Sequence, residues 1–240
     1  MTRNIISKLR TIAAKIKNRL PRLRTPDPEH IFTHIYKNKI WGEGNLEIPY
    51  YSGGGSDDEF AIPYVNAIVD FISKNKIKSI VDLGCGDFRI GKKITELTDV
   101  NFIGVDIVDD LIEYNKKQFS SASVSFYKKN IASDKLPAGE LYLVRQVFQH
   151  LSNSQIKKAL KNLSACKHLI ITEHQPVDSN CTPNIDKPVG AGIRLEGNSG
   201  VYLEHPPFNK KVKKLFEISP QQDKSSVIAT YIIFNDNSLA

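Results

Sequence analysis

The run SIVDLGCGDFRIG, Ser79–Gly91, constrains this chain more than any other stretch. Its β-formers Ile80, Val81 and Leu83 lead into Gly84-Cys85-Gly86, and a helix-compatible segment begins near Arg89 and continues through Lys92, Lys93 and Glu96. A strand that turns on glycine into a helix lets the backbone approach a ligand closely, because glycine has no Cβ to block it. About twenty residues past the glycines a second apolar run, NFIGVD, ends in Asp106. A carboxylate at the tip of a second strand, at that distance, can accept both hydroxyls of an adenosine ribose. The spacing therefore predicts an α/β chain that holds an adenosine-containing cofactor.

The glycine pattern narrows the choice of cofactor. A dinucleotide fingerprint needs a glycine three positions after Gly86, but Arg89 stands there and the next glycine is Gly91. Asp82 and Asp87 flank the turn, and carboxylates there repel a pyrophosphate while suiting an ammonium or a sulfonium. VDLGCGDFRIG followed by FIGVDIVDDLI resembles motifs I and II of the class I S-adenosylmethionine-dependent methyltransferases. The blander alternative is a βαβ turn with a structural glycine pair. The resemblance implies a Rossmann-like fold, with a seven-stranded, mostly parallel sheet, an antiparallel last strand and helices on both faces. It implies S-adenosyl-L-methionine as cofactor, held by Asp82, Gly84, Gly86, Asp87, Asp106, Ile107, Asn130, Ile131 and Arg145. VSFYKKNI alternates into a third strand expected to end at Asn130, where the family contacts the adenine amine with an acid or amide, and Ile131 follows to pack on the ring. Many members have Asp where this chain has Asn130, whose amide oxygen accepts the same hydrogen bond.

Charge is unevenly placed. The chain of 240 residues has room for one sizeable domain and a short extension, and its formal net charge is +7. Residues 1–24 hold eight Lys or Arg and no acid, so the rest of the chain carries 25 bases against 26 acids. A nucleic-acid enzyme more often carries its positive charge on the folded domain, so no nucleic-acid partner is expected. Within the tail Ile5, Leu9, Ile12, Ile16, Leu20 and Leu23 recur at three or four residues, a basic amphipathic helix ending at Pro21. Such a helix lies on an anionic membrane surface, docks on a partner protein, or packs loosely on its own domain. It is too short in apolar run to span a bilayer, and its charges interrupt any signal-peptide core. Cys85, Cys166 and Cys181 lack metal-ligand spacing and suggest a reducing, cytoplasmic compartment, with the tail placing the protein peripherally on the inner face of the membrane. Cys85 reads as a small packing residue and no metal site is expected.

The chain divides into that helix (1–24), an N-terminal helix with a glycine-rich cap loop (25–59) and the cofactor-binding domain (60–240). Thr25-Pro26-Asp27-Pro28 reads as a linker. Phe32, Ile35, Tyr36 and Ile40 then have helical spacing and lead to Trp41-Gly42. Ser56-Asp57-Asp58-Glu59 reads as a cap for a helix from about Phe60 to Lys74. IYKNKIWG and SGGGS resemble the start of a subgroup of bacterial methyltransferases of surface-polysaccharide and other glycan assembly, although LEIPYY here separates elements that usually lie together. The loop is expected to close over cofactor and acceptor, with Tyr50, Tyr51 and Ser52 lining the acceptor site; a plain glycine linker is the alternative.

Beyond a fourth strand (Leu141–Val144), RQVFQHL resembles the subgroup's R-D-V-L-Q-H-L with Gln146 in place of the acid. Ligands on open α/β sheets sit outside the carboxyl ends of the strands, so Arg145, Gln146, Gln149 and His150 are site candidates. His150 is the candidate general base, since a neutral imidazole can take an acceptor hydroxyl's proton; a hydrogen bond to a neighbouring loop would explain it equally. A fifth strand (His168–Thr172) is expected to deliver Glu173 and His174 into a loop as alternative acid/base groups, or as ordinary solvated residues. GIRL and HPPF resemble the subgroup's G-x-R-x-L and P-P-F, and Arg194 is expected to pair with an acceptor or cofactor anion. VKKLFEIS and SVIATYIIFN read as the antiparallel pair that closes the sheet. The sequence thus predicts a methyltransferase acting on a small-molecule or glycan hydroxyl. A nucleotide-dependent oxidoreductase and a membrane-recruited, non-catalytic adaptor are the competing readings.

Overall fold

The computed structural model describes residues 27–45, 48–220 and 224–234. The basic tail therefore lies outside the described residues. Seven strands form one sheet in the order β3-β2-β1-β4-β5-β7-β6: β1 (Ser79–Leu83), β2 (Asn101–Asp106), β3 (Val124–Lys128), β4 (Leu141–Arg145), β5 (His168–Pro176), β6 (Lys211–Ile218) and β7 (Ser226–Phe234). β1 to β5 run parallel, and β7 is antiparallel to both β5 and β6. This is the Rossmann-like methyltransferase architecture expected. The strand order reverses between β1 and β4, and the crevice at that switch point is where such a sheet accepts a ligand.

Helices α1 (Pro28–Lys37), α2 (Asp58–Asn75), α3 (Arg89–Glu96), α4 (Asp109–Phe119) and α5 (Asn153–Asn162) surround the sheet. Strand residues alternate between two cores, because successive side chains leave opposite faces of a strand. Ile80, Leu141, Leu143 and Ile170 pack with Tyr64 and Ile68 of α2, Ile94 of α3 and Ile112 of α4. Val81, Leu83, Val144 and Ile171 pack on the other face with Ile156, Ala159 and Leu160 of α5 and with Val201, Leu203 and Phe208. A strand buried on both faces loses its polar alternation, which explains the continuous apolar reading of β1 and β4.

Four boundaries differ from the sequence reading. Pro28 opens α1 instead of extending a linker: Asp27 caps it, accepting the Glu29 amide at 3.2 Å, and a first-turn proline lacks only an N–H that would have no helical partner. α2 starts at Asp58, with Asp57 at its cap position. β3 stops at Lys128, and the Lys129 amide turns to the Asp106 carbonyl at 2.9 Å. β5 continues to Pro176 because β7 pairs with it as far as Pro176↔Ser226, a long-range pairing that local pattern does not reveal. Among the described residues, no helix is long and apolar enough to cross a membrane.

Candidate active site

A cleft of about 1070 Å³, open mouth included, lies at the carboxyl ends of β1, β2 and β4. It brings together Ser52, Asp82, Gly84, Gly86, Asp87, Asp106, Ile107, Asn130, Ile131, Arg145, Gln146 and His150. Tyr50, Tyr51, Gln149, Glu173, His174 and Arg194 do not line it.

The glycine turn and Asp106 form one unit. Gly84 and Gly86 adopt φ of 83° and 54°, conformations that a Cβ disfavours. The amides of Gly84 and Cys85 donate to the Val105 carbonyl, at 2.7 and 3.0 Å, tying the turn to β2. Asp106 accepts the Gly86 amide on Oδ2 (3.1 Å) and the amides of Ile107 (2.7 Å) and Val108 (3.1 Å) on Oδ1. Burial raises its pKa while these three amides oppose the rise. The same carboxylate faces the cleft and presents its remaining lone pairs there. Phe88, at φ 65°, packs its ring against Phe102, Phe119 and Phe126. A Cβ on Gly91 would lie 2.5 Å from that ring, so Gly91 makes room for an aromatic core and not for a phosphate. Cys85 is buried at the turn, and its burial pushes the thiol pKa well up, in keeping with a packing role.

Asp82 and Arg145 lie at the carboxyl ends of β1 and β4, close enough for their charges to act on one another. Burial raises Asp82 to about 7, with the Arg145 charge opposing. The Arg145 guanidinium stacks 4.9 Å over the Tyr64 ring and donates through Nη2 to the Gly55 carbonyl. Its Nε, and Nε2 of Gln146, are buried with no hydrogen-bond partner. Buried polar groups are ordinarily paired, so these donors call for an acceptor. A carboxylate beside unpaired N–H donors matches the ammonium and carboxylate of an amino-acid zwitterion, the end that S-adenosylmethionine carries. The residues present fit that group.

Above the turn, the loop ahead of α2 is latched shut. The Ser52 amide donates to Asp87 Oδ2 at 2.9 Å, and the Asp87 amide returns a bond to Ser52 Oγ at 2.8 Å. Tyr36 Oη lies 2.8 Å from the same Oγ. Asp87 also accepts the Arg89 amide and Nε, at 3.2 and 3.0 Å. Its carboxylate thus anchors a loop where a cofactor contact was expected, and the Ser52 hydroxyl is engaged likewise. Tyr51 stacks against Arg89 at 4.7 Å and donates to the Asp57 carboxylate, outside the cleft. Tyr50 packs its ring on Tyr36 and Tyr114.

The single turn Phe148–His150 is gripped from both ends. Glu173, 1% exposed, accepts the amides of Phe148 and Gln149, both at 2.9 Å. Burial pushes its pKa up to about 8, against the pull of those amides and of Arg194. Arg194 donates to the carbonyls of Phe148, Gln149, Leu151 and Ile185 and to Asn153 Oδ1. Glu173 and Arg194 therefore build the turn instead of meeting an acceptor. His174 sits in β5, its Nε2 2.9 Å from Ser226 Oγ. His150 alone of the three acid/base candidates reaches the cleft. Its Nδ1 lies 3.2 Å from the Gly190 carbonyl, which can only accept, so Nδ1 carries the proton and Nε2 accepts from the Gln149 amide at 3.3 Å. Burial and the nearby Lys187 lower its pKa to about 4. Asn130 uses Oδ1 to accept the Ala132 amide at 2.9 Å, leaving its second lone pair for a ligand.

Sequence reasoning missed the wall formed by Phe32, Tyr36 and Trp41, along with Ser56 and Gln155. Helical spacing marks the aromatics as a buried face, and nothing local shows that the face is turned towards a cleft.

Residues 80–167 match the model of a methyltransferase domain. O-methyltransferase 2 of Dictyostelium discoideum is 24% identical over 114 residues, 44% of this chain and 33% of that protein, so the matched stretch spans a third of the relative. The fold is similar to N-methyltransferase NodS of Bradyrhizobium japonicum WM9, solved with S-adenosyl-L-homocysteine, at a TM-score of 0.57 and 14% identity, covering 82% of this chain and 97% of NodS. It is also similar to magnesium protoporphyrin IX methyltransferase (ChlM) of Synechocystis PCC 6803, solved with S-adenosylmethionine, at a TM-score of 0.53 and 12% identity, covering 87% and 98%.

Proposed function

We propose that this chain is an S-adenosylmethionine-dependent methyltransferase that methylates a hydroxyl of a sugar or other glycan-pathway acceptor. The observation that carries the cofactor reading is the arrangement of Asp82, Asp106 and the unpaired Arg145 donor around one glycine turn. Asp106 and Asn130 hold the nucleoside, Ile107 and Ile131 cover its base, and Asp82 and Arg145 hold the amino-acid end. When bound, the cofactor supplies an electrophilic methyl group for an acceptor oxygen, whose proton leaves to a base or to water. His150 is that base, held as the neutral Nδ1–H tautomer by Gly190, and Gln149 must give way for its Nε2 to act. Because its basicity is low, rate rests mainly on placing the hydroxyl in line with the methyl group. Three carboxylates around the turn speak against a dinucleotide-dependent oxidoreductase. The oxygen acceptor draws support from the Dictyostelium relative, and the glycan acceptor from the resemblance in the sequence. The tail, residues 1–24, docks the enzyme peripherally on an anionic membrane or a partner. Vesicle sedimentation of the full chain and of a chain lacking these residues tests that part.

Isothermal titration with S-adenosylmethionine and S-adenosylhomocysteine, alongside Asp106→Ala, tests the whole reading. Micromolar binding lost in the variant supports it. No binding to either ligand would sink it and bring the adaptor forward.

A further inference from the structure

Once the nucleoside and amino-acid ends of the cleft are assigned, a remainder is left whose chemistry is unusually uniform. One side is the aromatic wall of Phe32, Tyr36 and Trp41. Trp41 lies with its ring centroid 6.1 Å from Phe32, 5.3 Å from Tyr36 and 4.9 Å from His150. Its Nε1 donates to the Ala191 carbonyl at 3.3 Å, so the polar edge of the indole is engaged with the chain and its apolar surface is what the cleft receives. The lining also includes Ser56, Gln146 and Gln155. Their side chains offer hydroxyl and amide groups with no charge.

The charged groups of the cleft are engaged, assigned to the cofactor or placed elsewhere. Asp87 is held by Ser52 and Arg89, and Asp106 by three amides. Arg145 donates to the Gly55 carbonyl, and its unpaired Nε is assigned to the cofactor. Lys129 belongs to the strand end beside Asp106 and Asn130. Among the described residues that line the cleft, the cations are Arg145, assigned to the cofactor, and Lys129, which follows β3 at the sheet edge away from β4. None therefore stands at the Trp41–His150 end to receive a phosphate or carboxylate on the acceptor.

We propose that Trp41 and His150 form the acceptor platform, and that the group docking on it is the face of an uncharged sugar ring. The apolar C–H face of a sugar lies on aromatic surface while its several hydroxyls meet Ser56, Gln146 and Gln155. A phenol would use the wall but only one of those polar groups. A sugar phosphate or uronic acid would bring a charge that finds no partner, and desolvating it there is costly. This inference rests on the methyltransferase reading and sets the substrate class of its acceptor site.

The chain contains one tryptophan, so its intrinsic fluorescence reports on the platform directly. Full-length protein saturated with S-adenosylhomocysteine is titrated with neutral mono- and disaccharides, their 1-phosphates, the matching uronic acids, and catechol. The expected result is saturable change in emission with a neutral sugar, and weaker response to its charged counterparts and to catechol. Calorimetry on Trp41→Leu, which keeps apolar bulk without the planar ring, should then show sugar affinity lowered about tenfold or more, as for an aromatic anchor, with S-adenosylhomocysteine affinity retained. Tighter binding of a phosphate, a uronic acid or catechol would overturn the proposal. So would silence across the neutral panel, or full sugar affinity in Trp41→Leu. Failure of S-adenosylhomocysteine to bind wild-type protein would instead remove the methyltransferase reading itself, and the platform with it.

Discussion

Ser52 and Asp87 exchange two hydrogen bonds, the Ser52 amide donating to the Asp87 carboxylate at 2.9 Å and the Asp87 amide donating to the Ser52 hydroxyl oxygen at 2.8 Å, across thirty-five positions of sequence. The pair closes the glycine-rich loop onto the cofactor turn. It also explains Gly86 twice over: its φ is 54°, and a Cβ there would lie 2.3 Å from Ser52 Oγ. Loop closure and cofactor cradle thus meet at Gly86.

Ser52→Ala should loosen that latch without altering the cradle. The Asp87 amide and Tyr36 hydroxyl both lose a partner, and leaving such groups unpaired costs about 1–3 kcal/mol. Limited proteolysis should show faster cleavage within 53–55, and S-adenosylhomocysteine should dissociate several-fold faster. Gly86→Ala should do more, since it distorts the turn as well. Stopped-flow dissociation that is identical for wild type and both variants would contradict the latch.

Asp82 sets a pH dependence for both binding and stability. Its pKa in the folded protein is about 7, raised by burial. A bound ammonium needs the ionised carboxylate, so S-adenosylmethionine affinity should be flat above pH 7 and fall about tenfold per unit below it. Stability runs the other way. The folded pKa exceeds the unfolded one, so the contribution of Asp82 to stability is most favourable at low pH and declines as pH rises from about 4 to about 7. Asp82→Asn removes that penalty and should stabilise the protein at pH 8 by up to about 4 kcal/mol while weakening cofactor binding. Urea unfolding and calorimetry at pH 6 and 8 measure both.

Arg194→Leu tests whether this side chain builds the site or meets the acceptor. Its guanidinium, 4% exposed, serves four carbonyls and Asn153, and it faces the charge of Glu173. Removing it should cost about 3–5 kcal/mol and lower the melting temperature by about 10 °C, because four carbonyls and Asn153 Oδ1 lose their donor. A variant that melts like wild type but has lost acceptor affinity would return Arg194 to the binding role read from its motif.

The nucleoside side of the cleft was legible because its determinants are local: a glycine turn, a strand tip and a fixed spacing place Gly84, Gly86 and Asp106 together. The five parallel strands were legible from buried apolar runs between turn residues. Glu173 and His174 were misplaced because the end of β5 depends on pairing with β7, whose first residue, Ser226, lies fifty positions beyond Pro176. Arg194 resembles an anion-binding residue in sequence, and its carbonyl partners come from a turn more than forty positions away. Trp41 was seen but not assigned, since its ring contact with His150 joins two segments far apart in sequence.

His150 offers the sharpest contrast between sequence and structure. An ordinary histidine titrates near 6.5, where it switches charge in the working range of most enzymes. Here burial and Lys187 hold the imidazole neutral down to about pH 4, and Gly190 and Gln149 occupy its two nitrogens. A histidine with a lowered folded pKa opposes the folded state once pH falls below its unfolded value, so acid should destabilise the turn that carries it. Proton–carbon NMR of the imidazole signals should therefore contain one histidine, lost in His150→Gln, that titrates near 4. The pH profile of kcat/KM should show no His150 inflection between 5 and 8. Its Lys187→Gln variant should shift the same resonance upward, since a neighbouring positive charge is removed. An inflection near 6.5 that disappears in His150→Gln would show that the imidazole is solvated in the working enzyme and that the Trp41 contact opens during turnover.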